Sequence, residues 1–206
     1  MAELVLEKQA PEARSPLAHL KAALAEGSVT GTRGVSLREI AFLTMISVRV
    51  KLETPPASRL ADVLGTPLPA SCGQVSAGPG RQVLWLGPDE FLVIGEDDAD
   101  RLTAQLIEAL GESPGLVVDL SANRTTLELS GPSARAVLEK GCMVDLHPRA
   151  FGVGSVVMTQ LGAVAVIVWQ TDVTPTYRIL PRASFAEYTA RWLLDAMAEF
   201  AEPAVP

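Results

Sequence analysis

Residues able to do chemistry are scarce in this chain. Histidine occurs twice, at His19 and His147, and cysteine twice, at Cys72 and Cys142. Neither histidine has a ligand-type neighbour within the next turn of chain, and the cysteines lack Cys-x-x-Cys spacing, so a multi-His or zinc-ribbon site is not expected. Cys142 and His147 could form a nucleophile–base dyad, but Pro148 beside the histidine makes a local turn the simpler reading. No serine stands in a G-x-S-x-G elbow; Gly154-Ser155 lacks the flanking pattern. The carboxylate pairs Asp89-Glu90 and Asp97-Asp98 fall where turns and helix caps use them. The 16 glycines include no G-x-G-x-x-G opening a helix after a strand. Gly78-Pro79-Gly80 loses a backbone donor to its proline, and Gly152-Val153-Gly154-Ser155 precedes a strand. No residue is assigned a catalytic, cofactor-binding or metal-binding role.

Two polar segments escape this purely structural account. Asp119–Thr126 sets Asn123 and Arg124 between two strand-like runs, as a bulge or a functional loop. Asp145–Phe151 mixes His147, Arg149 and Phe151, the last an exposed-looking aromatic. Arginine and aromatic side chains are enriched where subunits meet. Asn123, Arg124, His147, Arg149 and Phe151 are therefore the interface candidates, with structural turns as the equal alternative.

The elements that must position these segments follow from periodicity. After a polar arm over Met1–Pro16, Ser15 is expected to cap a helix with Pro16 at its first position and Leu17, Leu20, Ala23 and Leu24 at helical spacing, ending at Gly27. His19 is expected on its polar or partner-facing side. Strand character rises between Val35 and Leu52, and a short helix runs from Ala57 to Leu64, closed by Gly65. Beyond a Pro/Gly-rich connector, Thr66–Gly80, a hairpin joins Val83–Leu86 to Phe91–Ile94. Asp97 or Asp98 then caps a helix carrying Leu102, Leu106, Ile107 and Leu110 on one face. Strands Leu116–Leu120 and Thr125–Leu129, a helix Ala134–Lys140, a hairpin about Gly162, a strand Tyr177–Leu180 and a Ser184-capped amphipathic helix complete the chain.

The two halves echo one another: strand, then Pro56–Gly65 in the first, and strand, then Pro132–Gly141 in the second. The expected fold class is α+β, with two similar modules of mostly antiparallel strands with helices. The divisions are 1–34 for the arm and first helix, 35–112 and 113–200 for the modules, and 201–206 for the tail. A chain that is 48% hydrophobic can bury a sizeable core. Its net charge of −7 argues against a nucleic-acid partner. The N-terminal residues lack a basic start with an apolar run, and the longest apolar stretch, Ala163–Trp169, falls far short of a membrane span. A cytoplasmic protein with free thiols and no membrane anchor is expected.

Several segments carry a family resemblance. Val118–Pro132, Lys140-Gly141-Cys142, Asp145–Phe151, Pro175–Leu180, Ser184–Tyr188 and the opening Ser15–Ala18 resemble the gamma subunit of heterotetrameric sarcosine oxidase. The resemblance implies alpha, beta and delta partners and oxidative demethylation of sarcosine to glycine. It further implies hydrogen peroxide as a product, with formaldehyde or, given tetrahydrofolate, 5,10-methylenetetrahydrofolate. It places non-covalent FAD, covalent FMN and NAD in the alpha and beta subunits and zinc in delta, with no cofactor in this chain. It implies a fold similar to the folate-binding aminomethyltransferase of glycine cleavage, with Leu86–Asp89 and Ser130-Gly131-Pro132 as recurring strand-to-turn signatures. The leading expectation is a non-catalytic assembly subunit whose acidic charge complements a basic partner surface and whose apolar content suits an obligate interface. The alternative is a folate-binding one-carbon-transfer protein acting on its own, with Asp119 as its pterin-holding acid.

Overall fold

The structure, a computed structural model, describes residues 13–202. The N-terminal arm up to Glu12 and the tail from Pro203 onward lie outside the described residues. In chain order the elements are α1 (Lys21–Glu26), β1 (Ser36–Ile40), β2 (Thr44–Arg49), α2 (Pro55–Leu64), β3 (Val75–Gly78), β4 (Arg81–Gly87), β5 (Glu90–Gly95) and α3 (Ala99–Leu110). They continue as β6 (Leu116–Asp119), β7 (Thr126–Ser130), α4 (Ala134–Glu139), β8 (Val156–Leu161), β9 (Val164–Asp172), β10 (Thr176–Pro181) and α5 (Ala186–Ala198).

The central strands are apolar almost without interruption because they are covered on both sides. In β5, Phe91 and Val93 pack among α2 and α3 with Leu60, Leu64, Leu102 and Leu106. Leu92 and Ile94, on the opposite pleat, meet Ile167, Trp169 and Leu180 from another sheet. In β9 and β10 the alternation repeats: Val166, Val168, Tyr177 and Ile179 join the core beneath α1, α4 and α5. Two five-stranded antiparallel sheets thus lie face to face, each with helices on its outer side. Their strand orders are β1-β7-β10-β9-β8 and β3-β4-β5-β2-β6. This is an α+β architecture built from antiparallel pairs.

The pairing reaches across the chain. β1 is registered on β7, with Leu37 opposite Leu129 and Arg38 opposite Glu128. β6 is registered on β2, with Ser47 opposite Val118. Each sheet therefore takes an outer strand from the other side of the 112/113 division. The connector Thr66–Gly80 contributes β3, which its glycines and prolines conceal.

Several local expectations are corrected. Ser15 does not cap α1: its hydroxyl donates to Glu39 Oε2 at 2.6 Å. The segment opens as a single 3₁₀ turn, Ala18–Leu20, before α1. Burial of Leu17 and Leu20 fixes its path more strongly than a cap would. Ser184 lies inside another 3₁₀ turn, Ala183–Phe185, because Arg182 already holds the extended conformation that a capping residue needs. Asp98 is the acid that caps α3, accepting from the Arg101 N–H at 2.8 Å. Asp97 instead pairs with Arg81 at 2.5 Å. Ile107, expected on the buried face of α3, is 52% exposed. The Gly65 ending holds: its φ of 70° is the left-handed C-cap that closes α2.

Candidate functional site

The loop Asp119–Thr126 carries the chain from β6 to β7, and so from one sheet to the other. Asp119 Oδ1 accepts from the Ser121 N–H at 2.8 Å and from its hydroxyl at 2.5 Å. Ser121 Oγ in turn accepts from the Met45 N–H at 3.0 Å. Asn123 is exposed; its N–H donates to the Leu120 carbonyl, and its own carbonyl accepts from Ala183 N–H at 2.8 Å. Arg124 is half-buried and donates from Nη1 to the Leu180 carbonyl at 2.9 Å. Burial and the neighbouring Arg182 push its pKa below the ordinary arginine value, though a guanidinium stays charged in any protein setting. This loop is a junction that ties the end of β6 to the end of β10.

The second sequence-singled segment is a closed turn. Asp145 Oδ1 accepts from the His147 N–H at 2.9 Å, and the His147 carbonyl accepts from the N–H groups of Ala150 and Phe151. His147 Nδ1 accepts from the Arg149 N–H at 3.2 Å. His147 and Arg149 are exposed. Phe151 is not: at 5% exposure it packs into the helix-side core beside Leu146, so the reading of an exposed aromatic is corrected. The segment turns the backbone back on itself, and its one large apolar side chain is drawn inward. Cys142 is half-buried against the same core, and no hydrogen bond joins it to His147 among the described residues. Among the described residues no group of three His, Cys, Asp or Glu could hold a metal ion.

One exposed aromatic falls outside the segments singled out from the sequence. Phe42 lies in the short turn between β1 and β2, the other place where the chain changes sheets. It is 68% exposed, and its φ is 62°. A left-handed backbone under a bulky side chain costs about 1–2 kcal/mol, and the ring above it stays exposed among the described residues. Three adjoining clefts of about 660, 520 and 380 Å³ share Phe42 and Ser15. Arg124 reaches the smallest of them, whereas Asn123, His147, Arg149 and Phe151 line none. Four of the lining side chains are cationic, Arg14, Lys21, Arg38 and Arg124, against one carboxylate, Glu39. Glu39 is already held by Ser15 and by Thr125 Oγ1 at 2.6 Å. A basic collar around an exposed aromatic, on a chain of net charge −7, suits macromolecular contact. The signal that sequence held was an aromatic placed in a turn too short to bury it.

Residues 53–199 match the family described as sarcosine oxidase, gamma subunit family. The chain is 50% identical over 206 residues, all of both chains, to the sarcosine oxidase subunit gamma of Corynebacterium sp. (strain P-1). It is 51% identical to that of Arthrobacter sp. over 193 residues, 93% of each chain. Its fold superposes with a TM-score of 0.90 and 48% identity on a chain of the heterotetrameric sarcosine oxidase from Corynebacterium sp. U-96 in complex with pyrrole 2-carboxylate, covering 94% of this chain and 99% of that one. The glycine cleavage system aminomethyltransferase T from Bartonella henselae is similar in fold alone, with a TM-score of 0.64 and 18% identity over 87% of this chain and 56% of that one. From its full-length similarity and its matching fold, the chain belongs to the sarcosine oxidase gamma subunit family.

Proposed function

We propose that this chain is the assembly subunit of a heterotetrameric sarcosine oxidase, that it carries no catalytic residue, and that alpha, beta and delta subunits hold the FAD, FMN, NAD and zinc. The complex converts sarcosine to glycine and hydrogen peroxide, with formaldehyde or, from tetrahydrofolate, 5,10-methylenetetrahydrofolate. The observation that carries this reading is the 50% identity to a subunit gamma over the full length of both chains. The basic clefts around Phe42, with Arg124, form its main contact surface. The exposed Asn123, His147 and Arg149 form a secondary one, and Phe151 shapes the latter from within the core. A cytoplasmic location goes with this role; among the described residues no helix is long and apolar enough to cross a membrane.

The alternative, a folate-binding protein acting on its own, needs an acid facing a central cavity. Asp119 does not supply one: it is exposed, and its Oδ1 is engaged by Ser121. Purification from the native host through a tag on this chain tests the proposal. Flavin absorbance and sarcosine-dependent peroxide in the eluate support it. A tagged chain that elutes without flavoprotein partners, and binds a reduced folate stoichiometrically by calorimetry, refutes it.

A further inference from the structure

β1 is the outermost strand of its sheet, with β7 on one side only. In a strand, the backbone N–H and C=O of successive residues point to opposite edges. The Gly34 carbonyl accepts from Ser133 N–H on the β7 side, while Val35 exchanges both of its backbone bonds with Val29 on the far side, at 2.8 and 2.9 Å. Leu37 and Glu39 share the parity of Val35, so their N–H and C=O groups face away from β7. No backbone or side-chain group among the described residues meets them.

What lies beside them is the 660 Å³ cleft. One wall is the run Ser36–Glu39, and the other is the face of the first helical segment bearing Ala18, Lys21, Ala25 and Ser28. The chain itself begins a sixth strand there and abandons it. Val29 pairs with Val35, but the residues that would continue opposite Leu37 and Glu39 belong to the end of α1 and its Gly27 cap. The bare edge is thus faced by Ala18, Ala25 and Ser28 between the larger Leu17, Lys21 and Leu24, started in register by Val29, and bordered by Phe42 at its other end.

We propose that this edge receives an extended, acidic segment of another subunit as a sixth, antiparallel strand in line with Val29. This rests on the subunit reading above and names the contact that it requires. A bare strand edge selects extended polypeptide, because only such a chain presents matching donors and acceptors at the strand repeat. The acidic character follows from the collar: Arg14 and Lys21 rim the entry with no ion-pair partner among the described residues, while Arg38 is paired with Glu128 and the Glu39 carboxylate is turned to Ser15 and Thr125. Phe42, exposed at the open end, is the anchor for an apolar side chain of the incoming segment.

The test uses the assembled complex. Residue-resolved hydrogen exchange is expected to slow the Leu37 and Glu39 amides at least about 100-fold relative to an unpaired amide, matching the Arg38 amide that bonds to β7. A photo-crosslinking residue in place of Ala25 is expected to join this chain to one acidic stretch of another subunit, and Lys21→Glu with Arg14→Glu is expected to abolish that cross-link. Free exchange of Leu37 and Glu39 within an intact flavin-bearing complex overturns the strand while leaving the subunit reading standing. Cross-linking to a helical segment or to a second copy of this chain also overturns it. A tagged chain that assembles with no flavoprotein at all removes the subunit reading itself.

Discussion

Replacing Gly131 by alanine should disable the placement of β1. Gly131 joins β7 to α4 at a φ of +124°, and an added Cβ would stand 2.5 Å from the Gly34 carbonyl oxygen, 3.0 Å from Val35 Cα and 3.1 Å from the Gly34 carbonyl carbon. All three are backbone atoms at the entry to β1, so no rotamer change relieves the contact. The same corner is tied by Ser133 Oγ donating to the Arg33 carbonyl at 2.9 Å. A side chain at such a φ costs about 1–3 kcal/mol, and forcing an extra methyl into packed backbone adds about 1–3 kcal/mol. The expected loss is about 4 kcal/mol. Gly154 is the control: its φ is +81°, and nothing lies within 4 Å of its added Cβ. Gly154→Ala therefore bears only the conformational cost, about 1 kcal/mol after the lower entropy of the unfolded chain is credited. Pulse proteolysis across a urea series, read on the band of this chain, gives the midpoint whether the chain is free or assembled. With a slope of about 2–3 kcal/mol/M, Gly131→Ala should lower the midpoint by about 1.5 M and Gly154→Ala by about 0.4 M. Equal shifts in the two variants would refute the steric reasoning.

Two further outcomes follow from the charge pattern. Glu128, whose side chain is 12% exposed, accepts from Arg38 at 2.5 Å and lies 3.6 Å from Arg178, whose guanidinium sits 5.1 Å from the Trp169 ring centre. Glu128→Gln leaves Arg178 largely buried without its counter-ion, so the same urea series should record a loss of about 1–3 kcal/mol; the more exposed Arg38→Gln should cost under about 1 kcal/mol. Glu187 joins α5 to the N-terminal segment, and hydrogen bonds from Arg191 first and then His19 hold its carboxyl below the usual carboxylate range. A depressed folded-state value gives stability that is present above the unfolded carboxylate range and is lost as pH falls through the folded value. Glu187→Gln should lower the midpoint at neutral pH, and the two curves should converge as pH falls through the depressed folded value; a gap that persists in acid would assign the effect to packing.

Local elements were legible because their signals are local. The Val83–Leu86 and Phe91–Ile94 hairpin sits in β4 and β5, α2 closes on Gly65, and α3 shows its Leu102, Leu106 and Leu110 stripe. What escaped is set by distant partners. Nothing in the composition of Ser36–Ile40 says that it pairs with Thr126–Ser130, and nothing in Leu116–Asp119 points to Thr44–Arg49, since a short, partly exposed edge strand carries no mark of which sheet it joins. The Ser15 and Ser184 caps failed for the same reason: burial of Leu17 and the extended Arg182 decide those entries. Phe151 was judged by its polar neighbours, whereas a tight turn at His147 directs it into the core. Of the residues lining the clefts, the sequence singled out Arg124 as an interface candidate and His19 as polar or partner-facing. Phe42 needed knowledge of where its turn emerges.

That position follows from the topology. Among the described residues the chain passes between sheets twice, through the Phe42 turn from β1 to β2 and through Asp119–Thr126 from β6 to β7. The two passages are bonded together: Thr125 donates to Glu39, and Ser121 accepts from Met45. Where two strands cross between layers, neither sheet can extend over the crossing, so β1 keeps a bare edge and the Phe42 ring stays uncovered. The same exchange that locks the sheets to each other thus leaves a basic, aromatic-rimmed surface on an acidic chain. The scarcity of catalytic side chains and this opening have one explanation if the chain contributes backbone and shape, not reactive groups, to a larger enzyme. Weakening the exchange at Gly131 should then loosen the association with partner subunits along with the fold, because β1 serves both.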